Sequence, residues 1–159
     1  MSEPYEETLG GEVTLRLPPG PRHEAICERL HAVIKASVAN FPGTRLLELR
    51  SEVRVDSTNT VCPDLALAAA ATGKVWLVAE VVSSEDHHTD TVEKKQIYEA
   101  MKLPRLWMVD PRYDNVEIYH GSEYGLRLEG ILAGSDMLTE KLLPEFQITI
   151  KELFAPAHC

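Results

Sequence analysis

The sequence predicts a mixed α/β (α+β) fold: one mixed β-sheet packed by two main helices, with additional β-hairpins. Three observations lead there. Residues 65–71 and 75–82 are apolar runs joined by a Gly73-Lys74 reversal, and they read as paired strands buried on both faces. Two stretches, residues 22 to about 40 and 90 to about 102, place apolar side chains at helical spacing. Shorter segments around them alternate polar and apolar residues, which is the strand period.

Taken in order, residues 12–17 alternate and predict an edge strand, broken by Pro18-Pro19-Gly20-Pro21. In the first helix, Ile26, Leu30, Val33, Ile34 and Phe41 share a stripe while Glu24, Glu28 and Lys35 gather opposite, and Pro42-Gly43 stops it. His23 sits on the stripe at the helix start, as a core or cap residue or as a site group, with Glu24 at the rim. Residues 46–49 and 52–55 predict successive strands of a meander, followed by a loop at 56–60. After the central pair of strands come a loop at 86–89, the second helix, a buried strand at 105–109, a turn at 110–115, and a hairpin of 116–120 with 124–128. Beyond lie a Gly134-Ser135-Asp136 turn, a break at Pro144 and a short amphipathic end at 148–154.

The 159 residues suit one domain, expected over 11–155 behind a flexible acidic leader at 1–10. Hydrophobic content of 44% and 26% charged residues are globular values, and no run is long enough to span a membrane. The opening Met1-Ser2-Glu3-Pro4-Tyr5-Glu6-Glu7 lacks the basic and apolar regions of a signal peptide, so a cytoplasmic protein is expected. Cys27, Cys62 and Cys159 are too scattered for a disulfide framework; we read them as reduced thiols, and His158-Cys159 as no zinc site. The net charge of −9 opposes tight, sequence-independent nucleic-acid binding while leaving room for a local basic groove.

Each central strand carries one carboxylate, Asp64 at the start of the first and Glu80 deep in the second. Burying an acid within Leu77-Val78-Ala79-Glu80-Val81-Val82 is costly without a partner, and a divalent cation shared by the two carboxylates would supply one. On the second helix Asp90, Lys94, Ile97, Tyr98 and Met101 fall on one face, whereas Lys95, Glu99 and Lys102 lie on the other. Asp90, Lys94 and Tyr98 therefore face the sheet that bears Asp64 and Glu80, or Asp90 and Lys94 form an ordinary i,i+4 pair at the helix edge. Lys95 is expected in solvent.

Pro63-Asp64 followed by Glu80-Val81-Val82 resembles the Pro-Asp…(Asp/Glu)-x-Lys signature of restriction-endonuclease-like nucleases. More closely, Val61-Cys62-Pro63-Asp64-Leu65, Ala79-Glu80-Val81-Val82-Ser83, Asp90 with Lys94 and Tyr98, and Leu106-Trp107-Met108-Val109-Asp110-Pro111 resemble the Uma-type family of putative restriction endonucleases. The His23 helix start and Leu143-Pro144-Glu145-Phe146 before Leu153-Phe154 also match, so the likeness runs through most of the chain.

The resemblance implies a restriction-endonuclease-like core and a catalytic set of Asp64, Glu80 and Lys94, supported by Asp90, Tyr98, His23 and Glu24. Asp64, Glu80 and the Val81 backbone carbonyl would hold Mg²⁺ or Mn²⁺ for hydrolysis of phosphodiester bonds in DNA, and a homodimer is expected. Two departures stand out. Val82 occupies the usual place of the signature lysine, whose part Lys94 would take, and Ser83-Ser84-Glu85 replaces a common Ser-Pro-Ser. His87 and His88 are expected in a solvated loop. Arg45, Arg50, Arg54, Lys74, Arg105 and Arg112 are scattered among acids, so the alternative is a nuclease-fold module for binding or assembly without efficient catalysis.

Overall fold

The structure, a computed structural model, describes residues 3–83 and 87–156. Ser84, Glu85 and Asp86 of the expected loop, and His158 and Cys159, lie outside the described residues. The strands are β1 (Tyr5–Leu9), β2 (Glu12–Arg16), β3 (Thr44–Leu46), β4 (Val53–Arg54), β5 (Thr60–Val61), β6 (Leu65–Ala69), β7 (Val75–Val81), β8 (Arg105–Asp110), β9 (Asn115–Ser122), β10 (Gly125–Ala133), β11 (Met137–Glu140) and β12 (Leu143–Thr149). The helices are α1 (Pro21–Val38), α2 (Lys94–Ala100) and α3 (Ile150–Leu153); a π-helical turn, Thr89–Glu93, leads straight into α2.

The mixed α+β class predicted from sequence is the one observed. A six-stranded sheet in the order β10-β9-β8-β7-β6-β3 forms the centre. Its pairs are antiparallel except β7 with β8, which run parallel because the π turn and α2 carry the chain back across the sheet. Strand alternation then sorts β7. Leu77, Ala79 and Val81 pack with Ile26, Leu30 and Ile34 of α1, whereas Val78 joins Tyr98, Leu103 and Leu106 on the α2 side. Glu80 shares the parity of Val78, so its side chain meets α2.

Three expectations give way. Tyr5–Leu9, placed in a flexible leader, forms β1 and pairs with β2 through a Gly10-Gly11 turn whose φ values are 59° and 83°. Positive φ at both central residues is the two-residue hairpin geometry that glycine permits without strain. The expected meander is divided between sheets: β3 pairs with β6, while β4 pairs with β5 in a four-stranded sheet ordered β2-β1-β5-β4. Side-chain alternation is too short in two- and three-residue strands to specify a partner. Pro144 interrupts nothing, because it lies in β12, which has a neighbour on only one side and can dispense with a ladder donor there.

β9 passes close under the turn after α2. A Cβ built at Gly121 would sit 2.6 Å from the Leu103 carbonyl oxygen, and backbone cannot yield as a flexible side chain does. Gly121→Ala is expected to cost about 1–3 kcal/mol, read as a lowered thermal unfolding midpoint with the far-ultraviolet spectrum of the folded state retained.

Candidate active site

The β1–β2 hairpin delivers three polar side chains to the interior. Tyr5 and Glu7 share one face of β1, and the register sets Arg16 opposite Tyr5. Glu7 is wholly buried; its Oε1 accepts from Arg16 at 2.6 Å, and its Oε2 from Lys94 at 2.7 Å and the Cys62 N–H at 2.8 Å. Lys94 donates also to Glu80 Oε2 at 2.6 Å, and the Tyr98 hydroxyl donates to the same oxygen. Arg16 reaches on to Asp90 Oδ1 at 2.7 Å, while Asp90 Oδ2 accepts the Ser83 N–H at 3.0 Å. Asp90, Lys94 and Tyr98 recur every fourth residue, so one helical face presents all three to the sheet.

Three carboxylates, Glu7, Glu80 and Asp90, thus share two cations, Arg16 and Lys94, in an interior that water barely reaches. Burial pushes the Glu80 carboxyl up to about 8: Lys94 opposes the rise, and Asp64, Asp90 and Glu7 reinforce it. Asp90 is raised for the same leading reason. Burial works against the Glu7 carboxylate too, yet Lys94, the Cys62 N–H and Arg16 outweigh it and hold its pKa below the usual range. Lys94 is disfavoured by burial but held well above the ordinary lysine value by Glu80, Tyr98 and Glu7, so it stays charged.

A second network gathers around Asp64, at the entrance to β6. Its Oδ1 accepts from Arg50 at 3.0 Å and its Oδ2 from the Val81 N–H at 2.8 Å. His23 Nε2 lies 2.7 Å from the Val81 carbonyl and 3.6 Å from Asp64 Oδ2. With Nε2 donating to that carbonyl, Nδ1 is left as an acceptor toward the Cys27 thiol at 3.6 Å. Arg50 also donates to Glu24 at 2.5 Å, and it does so from a φ of 56°, a left-handed backbone that non-glycine residues seldom adopt. Burial and the nearby Asp64 push the Cys27 thiol well up, which keeps it protonated.

The two networks differ in access. A cavity of about 550 Å³ is lined by Tyr5, Arg16, Arg22, His23, Asp64, Val81, Ser83 and Arg112, together with Pro18, Pro19 and Gly20 and the first residue of α1, Pro21. Glu80, Lys94, Tyr98, Asp90 and Glu24 are not in its wall. The structure therefore brings Asp64, His23 and the Val81 backbone to one opening and sets Glu80, Lys94 and Tyr98 together behind it. Asp90 accepts from Arg16 and the Ser83 N–H, while Lys94 turns its ammonium to Glu7 and Glu80, so the i,i+4 pair at the helix edge is not the arrangement seen. Lys95 lies outside the cluster with its ammonium 4.4 Å over the Tyr119 ring, and His88 is exposed beside Glu93.

Sequence reasoning missed Tyr5, Glu7, Arg16 and Arg50. The Gly10-Gly11 dipeptide between two alternating segments was a usable signal for the first three. For Arg50 there was none, since only the folded chain places it beside Asp64.

The donor chemistry fits a hard divalent cation. Asp64 and the Val81 carbonyl offer oxygen atoms at the cavity wall, and each keeps lone pairs beyond the bonds described. Glu80 binds its partners through Oε2. His23, Cys27 and Asp64 also have ligand atoms within 4.8 Å of one another, but the internal bonds of His23 and the protonated thiol satisfy that group without a metal.

Two outcomes follow. Glu7→Ala leaves Arg16 and Lys94 short of a buried partner and is expected to destabilise the fold by about 3–5 kcal/mol in chemical denaturation. The pH dependence carries a definite sign. A carboxyl raised from 4.5 to about 8 binds its proton more tightly in the folded chain than in the unfolded one. Its stabilising contribution is complete below the unfolded value and drains as pH climbs toward about 8. The thermal midpoint of metal-free protein is expected to fall over that range, and Glu80→Gln to flatten the fall; an unchanged slope would remove Glu80 as the titrating group.

The family model described as Uma2, putative restriction endonuclease, matches residues 2–151. No curated protein matches the chain. The fold is similar to the crystal structure of a putative nuclease of the DUF820 group from Anabaena variabilis, with a TM-score of 0.80 and 18% identity, covering 97% of this chain and 92% of that one. Matched over nearly its whole length, the chain belongs to the Uma2 family of putative restriction endonucleases.

Proposed function

We propose that the protein is a metal-dependent endonuclease that hydrolyses phosphodiester bonds in DNA. The observation that carries this reading is Lys94. A lysine is kept charged at full burial, hydrogen-bonded to Glu80, on the strand whose next residue, Val81, borders the cavity with Asp64. Simple packing would place an apolar residue there, since a buried ion pair seldom stabilises more than a hydrophobic replacement of equal volume.

In this reading Asp64, Glu80 and the Val81 carbonyl hold Mg²⁺ or Mn²⁺. The bound cation would acidify a water and offset charge on the scissile phosphate. The protein's own groups do the rest. Arg50 and the Val81 N–H fix the Asp64 carboxylate, and His23 fixes the Val81 carbonyl from the other side. Lys94 holds Glu80 in place and brings positive charge toward the developing phosphorane. Water adds to phosphorus, the P–O bond to the sugar breaks, and the departing oxygen takes the proton. DNA is thus the partner, and the homodimer expected from the resemblance would bring two such sites into one particle.

One observation favours a second reading, a nuclease-fold module without efficient catalysis. Lys94 is engaged by two carboxylates, and neither it nor Glu80 borders the cavity. Calorimetric titration with Mn²⁺ and a DNA-nicking assay decide between them. Wild type is expected to bind Mn²⁺ and to cut, whereas Asp64→Asn, which keeps an acceptor for Arg50, loses at least about tenfold in metal affinity and at least about a hundredfold in cutting. No cutting of any DNA by wild type with either metal would give the module reading precedence.

A further inference from the structure

The wall of the cavity away from Asp64 is not accounted for by hydrolysis alone. At about 550 Å³ it lies within the roughly 300–1,000 Å³ of clefts that enclose a small molecule, room for one nucleotide and not for a double helix. Two arginines stand in that wall. Arg22 donates to Asp114 at 2.6 Å and to the Pro111 carbonyl at 2.7 Å. Arg112 grips Asp110 through Nε at 3.0 Å and Nη2 at 2.9 Å, which leaves Nη1 as the edge it can offer to an anion.

Proteins that hold duplex DNA by its backbone neutralise about 6–10 phosphates. Here the net charge is −9, and each arginine already pairs with a carboxylate, Arg22 with Asp114 and Arg112 with Asp110, so the cavity can grip about one phosphate but not a backbone track. Beside Arg112, Tyr113 is 68% exposed, with the guanidinium 5.1 Å from its ring centroid. An exposed aromatic ring paired with a cation is a stacking platform for a base that has lost its neighbours. Within an intact duplex that base is already stacked, and using the platform would first require unstacking it.

We propose that the cavity takes the phosphate of one nucleotide of an unpaired DNA strand against Arg22 and Arg112, with the base stacked outside it on Tyr113 next to Arg112, so that the substrate is a single strand, flap or frayed end. This deepens, and rests on, the nuclease reading above.

The test follows binding by fluorescence anisotropy, without added metal and at one salt concentration, of a labelled oligodeoxynucleotide alone and annealed to its complement. Cutting of both forms is then followed with Mn²⁺. The single strand is expected to bind at least about tenfold more tightly than the blunt duplex and to be cut faster. Tyr113→Ala is expected to weaken single-strand binding at least about fivefold, with Tyr113→Phe restoring it; Tyr124→Ala, an exposed tyrosine at the β9–β10 turn, leaves it unchanged. A duplex bound and cut as well as the single strand overturns the proposal and leaves the nuclease reading intact, as does single-strand cutting indifferent to Tyr113→Ala. If neither form is bound or cut, both fall.

Discussion

The interior of this protein is organised by an excess of buried acid. Glu7, Glu80 and Asp90 come from a hairpin, a central strand and the turn before a helix, and two cations, Arg16 and Lys94, hold them together. None of these groups tolerates burial alone. Each is therefore tied to the others, and through them the four-stranded sheet, the six-stranded sheet and α2 are pinned at one place. Hydrophobic packing supplies the bulk of the driving force for folding, but it is indifferent to small rotations; charges at hydrogen-bonding distance are not.

That constraint explains the divided layout beside it. The cluster immobilises Glu80 on the α2 face of β7, while its chain neighbour Val81 turns its side chain to α1 and its peptide group to Asp64 and His23. Strand alternation thus turns Glu80 into the buried charge cluster and the Val81 side chain into the α1 core, while the chain at Val81 also borders the open cavity. Arg50 completes the front network from a strained backbone position, a cost of the order of 1 kcal/mol that its two carboxylate partners offset. The proposed chemistry draws on both Glu80 and the Val81 backbone, and the proposed substrate preference uses the outer wall, where Arg22 and Arg112 stand, with Tyr113 beside Arg112.

The Uma2 family supplies a frame, and the local departures give this chain its character. With Val82 where the resemblance places a lysine, the proposed chemistry draws its positive charge from Lys94 on α2, four residues after Asp90 and four before Tyr98. On α2 this lysine pairs with two acids, Glu7 and Glu80, so it ties the hairpin to the central strand whatever chemistry it serves.

Much of this was written in the chain. The apolar runs of residues 65–71 and 75–82, joined at Gly73-Lys74, marked the central pair of strands, and the 3.6-residue period placed Ile26, Leu30 and Ile34 on a buried stripe and Asp90, Lys94 and Tyr98 on one face. Those are local regularities, and local regularities are what a sequence states directly. Glu7 was beyond that reach: an acid among acids at the start of the chain looks solvated until Lys94 and Arg16, distant in sequence, are brought against it. The same holds for Arg50 on Asp64, for β3 and β4 parting to different sheets, and for Asp90 choosing Arg16 over its helical neighbour. Residue order alone states which side chains carry charge and, on the two helices and the central strands, which face each takes. Which charges meet is a property of the fold, because a buried ion's partner is selected by the desolvation of both, and that exists only once the chain has closed around them.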